Sequence, residues 1–457
     1  MELEHIPASI TYSFAAILVL MIACLALEEK LHAKKSLIVG VFAIISLLAA
    51  SILGLIPFGD VVLPDGLNIH IPVYIEAVDW EVIAIIIGSS LFVDVTSRSG
   101  LFTWIAIKLT KASKGDTLAL LWYYGVMTVV FSAVLNNVTA MIIVGSLTGV
   151  SLNKLGRNDK LLGFLLIEAF LTNIGGLLTL ISSVPNIIVG NAAGISFVRF
   201  FLVASPFVLV ATVATLLMGA RLFSIKRLAN AEEQEAALIL IAGFDENDGI
   251  KSRHFFYFSG FILLAFIIAI ATTSITPVIK ELGMGFVAMA FAVIMLVRYK
   301  SEVDDFYKAI DWDLIIFFMS LFVVINVMEH ARVLDLIGQG LSWIIGDGDN
   351  ALGTGALLWT SAIFSSVTDN IPLAAMLAKI LVAQGTPGDS ALWWSVVFGA
   401  NLGGNITPIG SASTLVAVTI IHKYKLTLSF ADFVSKAIPY ALMQLVLATV
   451  YVLLFLT

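Results

Sequence analysis

The sequence predicts an all-α polytopic membrane protein made of two inverted-topology repeats, each with spanning helices, a re-entrant hairpin and a broken helix. Three observations predict it. Hydrophobic residues make up 60% of the 457 and charged residues only 12%, where soluble domains carry about 25% charge. Apolar windows of roughly 20 residues, the length that crosses a hydrocarbon core, recur along the whole chain. Short polar motifs return in the same order about half a chain later. The same numbers exclude other classes. A net charge of −7 leaves no basic face for nucleic acid. Cys24 is the one cysteine, so no intrachain disulfide is available and no Cys/His set holds zinc. No His-Glu-x-x-His and no nucleophile–base pair marks an enzyme, and no cofactor is expected.

Taken in order, Glu2 and Glu4 precede the first apolar run where a secretory signal would carry Lys or Arg, so a short tail is expected to lead into the first span. Spans are expected near 9–27, 37–55, 82–102, 198–220, 255–274, 282–298, 313–329 and 432–456. The stretches 160–190 and 391–421 are apolar but interrupted, and are expected as broken helices. Those at 117–150 and 352–384 have polar centres and fit two half-membrane helices and a turn. Amphipathic pieces near 101–114 and 332–346 precede them. Residues 223–254 carry the longest charged run, with Glu232, Glu233, Glu235, Asp245, Glu246 and Asp248, and read as a solvated linker. It divides a first repeat, 1–222, from a second, 255–457. Placing loop 28–36 and the linker in the cytoplasm leaves only Arg199, Lys280, Arg332 and Lys379 of the 25 basic residues elsewhere. Loop 56–80, with no Lys or Arg, is then external, and so are both termini.

The repeats are visible residue by residue. Asp79-Trp80-Glu81 returns as Asp311-Trp312-Asp313, 232 residues later. Both pairs read as helix starts with interfacial tryptophans. Ser90-Leu91-Phe92-Val93 returns as Ser320-Leu321-Phe322-Val323. Ser132 with Asn136-Asn137-Val138 returns as Ser365 with Asp369-Asn370-Ile371, and Asn173-Ile174-Gly175-Gly176 as Asn401-Leu402-Gly403-Gly404. Inverted repeats with broken helices are the sequence signature of a secondary transporter.

Irregular backbone survives in hydrocarbon only where it lines a cavity or is buried in protein. The breaks therefore locate the candidate site. The first repeat offers Ser132, Asn136, Asn137 and Thr139, then Asn173, Gly175, Ser183 and Asn186. The second offers Ser365, Thr368, Asp369 and Asn370, then Asn401, Gly403, Thr407, Ser411, Ser413 and Thr414. Half-helix N-termini can hold an anion, and freed carbonyls with Ser, Thr and Asn oxygens can hold a small hard cation. Charged residues at depth are few. Asp369 and Glu168 are expected to couple a proton or cation, whereas Asp94 with Arg98 one turn on reads as a local ion pair. Glu329 and Arg332 read as interface residues.

These motifs resemble the ion transporter superfamily, in particular the arsenite permeases, the P protein family and the NhaD-type antiporters, with the divalent anion/sodium symporters more distant. Ile406-Thr407-Pro408-Ile409-Gly410-Ser411 is similar to the second half of the arsenite permeases, and Asn173-Ile174-Gly175-Gly176 with Pro185-Asn186 to the P proteins. The resemblance implies scaffold and transport domains working as an elevator, often in a homodimer. It places Na+ sites at Ser132, Asn137 and Gly175 and at Ser365, Asn370 and Gly403. Many relatives read Asp-Asn in both hairpins; here the first reads Asn136-Asn137 and only Asp369 remains. The expected function is transport of a small ion coupled to Na+ or H+. An arsenite-like or other small anion comes first, because the four segments lack Lys and Arg. NhaD-like Na+/H+ exchange is the alternative, and a channel, which would want a filter ring, is remote. A prokaryotic plasma membrane is the expected location.

Overall fold

A computed structural model of the chain describes residues 6–56, 60–62, 68–70, 72–228, 230–300, 303–346, 350–368 and 370–457. The tail with Glu2 and Glu4, parts of loop 56–80, and Asp369 lie outside the described residues. The fold is helical, apart from a short antiparallel pair of strands, Asp60–Val62 and Asn68–His70. Among the described residues, nine helices are long and apolar enough to cross a membrane.

Helices of nine residues or more are numbered in chain order. The first repeat contains α1 (Ala8–Ala26), α2 (Lys35–Ile52), α3 (Trp80–Ser97), α4 (Leu101–Ala112), α5 (Thr117–Val134), α6 (Asn137–Lys154), α7 (Leu161–Gly176), α8 (Val184–Ala192) and α9 (Phe197–Leu222). A linker helix, α10, spans Ala231–Ala242. The second repeat runs through α11 (Arg253–Thr272), α12 (Pro277–Arg298), α13 (Trp312–His330), α14 (Val333–Ile345) and α15 (Ala351–Val367). It continues with α16 (Asn370–Ala383), α17 (Ala391–Gly403), α18 (Ala412–Lys423) and α19 (Phe430–Phe455). The order of long, short and hairpin helices is the same on both sides of α10.

Local chemistry repeats with it. The Asp79 carboxylate accepts from the amides of Glu81 and Val82, and Asp311 accepts from that of Leu314, so each starts its helix as an N-cap. The following indoles donate to a backbone carbonyl five residues back, Trp80 to Ile75 at 3.0 Å and Trp312 to Tyr307 at 3.2 Å. The next acidic residue ties down the other repeat. Glu81 accepts from the Met284 amide at 3.0 Å, at the unwound turn of α12, and Asp313 accepts from the Ser36 hydroxyl at the start of α2.

That exchange organises the molecule into two groups of helices. In the first, α12 packs along α3 and α2 along α13, so each repeat supplies the other with a neighbour. A Cβ on Gly88 of α3 would stand 2.5 Å from the Ala288 backbone of α12, so the two helices cross at small residues. The second group contains α5 to α9 and α15 to α19. There α5 packs on α7, α15 on α17, α18 on α6, and α8 on α16. Helices α4 and α14 run between the groups, touching α3 and α5, and α13 and α15, respectively.

The linker is largely exposed along α10 and is also tied down at several points. It is docked on the first repeat. The Leu228 amide donates to Asp116 at 2.9 Å, and Glu246 pairs with Lys108 at 2.7 Å and with Lys111. Arg157 lies 3.8 Å from Glu233, and the Lys154 ammonium sits 4.7 Å from the Phe244 ring centre. Ala237 of α10 is buried, facing Gly115 at the turn after α4.

Candidate functional site

The two hairpins have nearly the same turn. Helix α5 ends at Val134, Leu135 is extended (φ −100°, ψ 163°), and Asn136 caps α6 by accepting from the Thr139 amide at 2.8 Å. Helix α15 ends at Val367 and Thr368 is extended in the same way (φ −117°, ψ 163°). Asp369 follows in the chain, and α16 starts at Asn370. The Thr368 hydroxyl donates back to the Phe364 carbonyl at 2.9 Å.

Each hairpin leans on its broken helix in the same manner. The Ser132 hydroxyl donates to the Thr172 carbonyl at 2.6 Å, and that of Ser365 to the Ala400 carbonyl at 2.6 Å. A Cβ on Gly175 would stand 2.6 Å from the Val129 carbonyl oxygen, and one on Gly403 would stand 2.7 Å from the Ala362 Cα. Only glycine permits hairpin and broken helix to touch there. In the first repeat, Ser132 Oγ also lies 2.8 Å from Asn137 Oδ1. Three oxygens thus meet around one hydroxyl proton, a donor set that suits a small hard cation. In the second repeat Ser365 meets Ala400 and Gly403 meets Ala362, while Asn370 is buried at the head of α16. Thr407 donates to the Ser366 carbonyl at 2.6 Å and joins that hairpin to the break between α17 and α18.

The breaks release backbone carbonyls, and side chains satisfy several of them. Asn186 Nδ2 donates to the carbonyls of Gly176 at 2.6 Å and Thr179 at 2.9 Å. Thr414 Oγ1 plays this part opposite, near the carbonyls of Pro408 at 3.1 Å and Ser411 at 2.6 Å. The two breaks then cross. Ser183 donates to Asn401 Oδ1 at 2.8 Å; Ser411 and Ser413 donate to Asn173 Oδ1, each at 3.0 Å. Asn401 Nδ2 reaches Asn186 at 2.9 Å and Asn173 Nδ2 reaches Asn405 at 2.8 Å. The network runs on from Asn405 to Gln444 at 2.8 Å, and from Gln444 to Thr215 at 3.1 Å. All these side chains are buried. Asn405, Gln444 and Thr215 escaped the sequence analysis, although the second Asn of Asn401-Leu-Gly-Gly-Asn405 was a readable signal.

A cavity of about 210 Å³ opens at the second hairpin. Its walls include Thr368 and Ile409, and, from the α1–α2 turn, Glu28, Lys30 and Lys35. Lys35 lies 3.9 Å from Glu28. The four polar segments do lack Lys and Arg, as their sequence says; the fold sets two lysines opposite them. Glu168 stands apart, buried between α6 and α7, with the Thr148 hydroxyl donating to its Oε1 at 2.5 Å. Asp94 and Arg98 form the expected local pair at 3.6 Å, and Glu329 bonds Lys379 at 3.1 Å while Arg332 bonds Asp335 at 2.7 Å.

Paired hairpins braced on crossed broken helices, inside a membrane-spanning helical fold, define a membrane transporter. Comparison with known proteins narrows the class. The chain belongs to the citrate transporter family (CitMHS), which it matches over residues 22–399. It is 30% identical to a 46 kDa membrane protein of Mycobacterium leprae over 82% of this chain and 86% of that one. It is 25% identical to the mouse P protein over 83% of this chain, spanning 54% of that longer relative. Among solved structures it is similar to the YdaH transporter of Alcanivorax borkumensis (TM-score 0.60, 13% identity, 93% of this chain and 98% of that one). Neisseria gonorrhoeae MtrF is a second (TM-score 0.55, 14% identity, 93% and 95%). At such identities these two speak for the fold. The resemblance to the ion transporter superfamily, P proteins included, is borne out.

Proposed function

We propose that this transporter couples a Na+ or H+ gradient to movement of a small, weakly charged oxyanion of the arsenite type, in a cell membrane. The observation that carries the proposal is the composition of the site. Its two halves present neutral Ser, Thr and Asn oxygens and helix N-termini, with Lys30 and Lys35 across the cavity at Thr368. Helix α8 begins without a side-chain cap, because Ser183 gives its hydroxyl to Asn401, and its positive dipole end faces the crossing of the two breaks. Na+ would take the oxygens around Ser132, Asn137 and Gly175 and around Ser365, Asn370 and Gly403, with Asp369 as the coupling carboxylate. A tricarboxylate such as citrate would need its charge reduced by a co-bound cation in this setting. The second group of helices would move against the first as an elevator, and a homodimer would anchor the first. One observation favours the second reading, Na+/H+ exchange: Glu168 is a buried carboxyl group with no cation beside it among the described residues.

Purified protein in liposomes tests the two readings. Saturable arsenite uptake that requires a Na+ or proton gradient and is lost in Asp369→Asn is the expected result. Sodium-driven proton flux with no anion present would replace oxyanion transport with exchange. Gradient-driven citrate uptake with arsenite inert would keep the coupling and change the substrate.

A further inference from the structure

Glu168 lies on α7, away from both hairpin turns, and is fully buried. Thr148 of α6 donates to Oε1, and Oε2 has no partner among the described residues. A buried carboxyl group with one oxygen unused, in a membrane-spanning fold, calls for a function. The side chains leading away from it supply one. On the same face of α6, one turn beyond Thr148, Ser151 Oγ lies 2.7 Å from the Tyr124 hydroxyl of α5. Tyr124 in turn lies 2.7 Å from Thr110 Oγ1 of α4. All four hydroxyls are buried. The next residue along α4, Lys111, pairs with Glu246 of the linker, so the line ends one residue from the linker-covered face.

The remaining titratable groups on this stretch are few. Neighbouring helices bring Tyr124, then Tyr440 of α19, stacked on Phe170 with ring centres 4.8 Å apart, and Tyr424, which lies against Gly149 of α6. None is a cation, and Lys154, a turn beyond Ser151, is occupied on the Phe244 ring.

We propose that Glu168 is a proton-carrying site and that Thr148, Ser151, Tyr124 and Thr110 form its hydroxyl relay to the linker-covered face. Each hydroxyl takes an incoming proton on a lone pair and hands on the one it held. A hydronium at the linker-covered face gives up one O–H bond and is left as water, each relay hydroxyl forms one O–H bond and breaks another, and a new O–H bond forms at the Glu168 carboxylate. Thr148 and Ser151 are i,i+3 neighbours, roughly 5–6 Å apart at Cβ, and this step of the proposed relay requires the Ser151 hydroxyl to rotate from Tyr124 toward Thr148. The assignment deepens the proposed function, since it rests on coupling to protons, and it is independent of the substrate.

Infrared difference spectroscopy of the full-length protein in liposomes tests it with protons and deuterons as the only probes. Wild type should show a titrating protonated-carboxyl stretch that Glu168→Gln, which keeps the shape and the Thr148 hydrogen bond, removes. In Tyr124→Phe and Ser151→Ala the stretch should persist at equilibrium, yet exchange about tenfold more slowly on a shift to heavy water, the rate equivalent of one ordinary hydrogen bond. Unfolding profiles like wild type establish that the variants are folded. A spectrum unaltered by Glu168→Gln overturns the site, and wild-type exchange in both hydroxyl variants overturns the relay. Failure of oxyanion uptake with these signatures intact would discard the substrate and keep the proton site.

Discussion

Asn173 and Asn401 show what single residues do here. Each sits where its own helix stops, and each accepts a hydroxyl hydrogen from the other repeat. Truncating Asn173 takes one partner from Asn405 and leaves Ser411 and Ser413 only each other in a buried space, at about 1–3 kcal/mol for each group left unmatched. Asn173→Ala should therefore unfold at lower temperature or denaturant than wild type by roughly 2–4 kcal/mol, and Ser413→Ala by less, as calorimetry in detergent would record. Equal stability of both variants and wild type would mean that the crossing does not brace the molecule. These asparagines were legible because the sequence writes them twice, beside Gly-Gly pairs that only a close contact explains. Lys30 and Lys35 were not legible, since they reach Thr368 from more than 300 residues away. The hydroxyls of Tyr124, Ser151 and Thr148 were hidden for another reason. A Tyr, Ser or Thr on an apolar helix is ordinary until the neighbouring helix shows which face it meets.

At the scale of elements, the linker is the instructive case. Ala-Glu-Glu-Gln-Glu-Ala-Ala-Leu-Ile-Leu-Ile-Ala is a run of good helix formers, but its charge suggests a free connector. The fold uses that charge for docking. Hydrogen bonds from Lys108 and then Lys111 hold the Glu246 carboxyl down to about 2, below its ordinary 4.5. A carboxylate lowered in this way contributes fully above its ordinary value and loses its contribution as pH falls through the folded one. Amide exchange over 231–252, corrected for its intrinsic pH dependence, should be flat from neutral pH to about 5 and rise below that. Glu246→Gln should raise it already at neutral pH. Exchange that ignores both acid and the substitution would leave the linker held by its apolar contacts alone. Hairpin and broken-helix turns were easier to read than the docking, because Asn-Asn, Gly-Gly and Pro-Asn interrupt apolar runs at places where the backbone must change course.

At the scale of the molecule, charge is distributed unevenly around the cavity. Lys30 and Lys35, with Glu28, line the cavity at the second hairpin. If the cargo is an anion, Lys30→Gln with Lys35→Gln should raise the KM for uptake by about tenfold at low salt, with kcat nearly unchanged, and the difference should shrink as salt screens the field. Uptake indifferent to both lysines would assign the cavity to packing.

The exchange of helices between repeats has a consequence for how the chain is made. Helix α2 finds its main neighbour in α13, and α3 finds its own in α12, both written on the far side of the linker. During synthesis the early helices must wait in lipid, with α2 residues that end up buried, such as Ile38, Val39 and Ala43, still without their neighbour, until residues up to 330 have entered the membrane. Neither half can finish folding alone. A chain cut in the linker should mature only when both pieces are produced in the same cell, and an early truncation should be recognised and degraded.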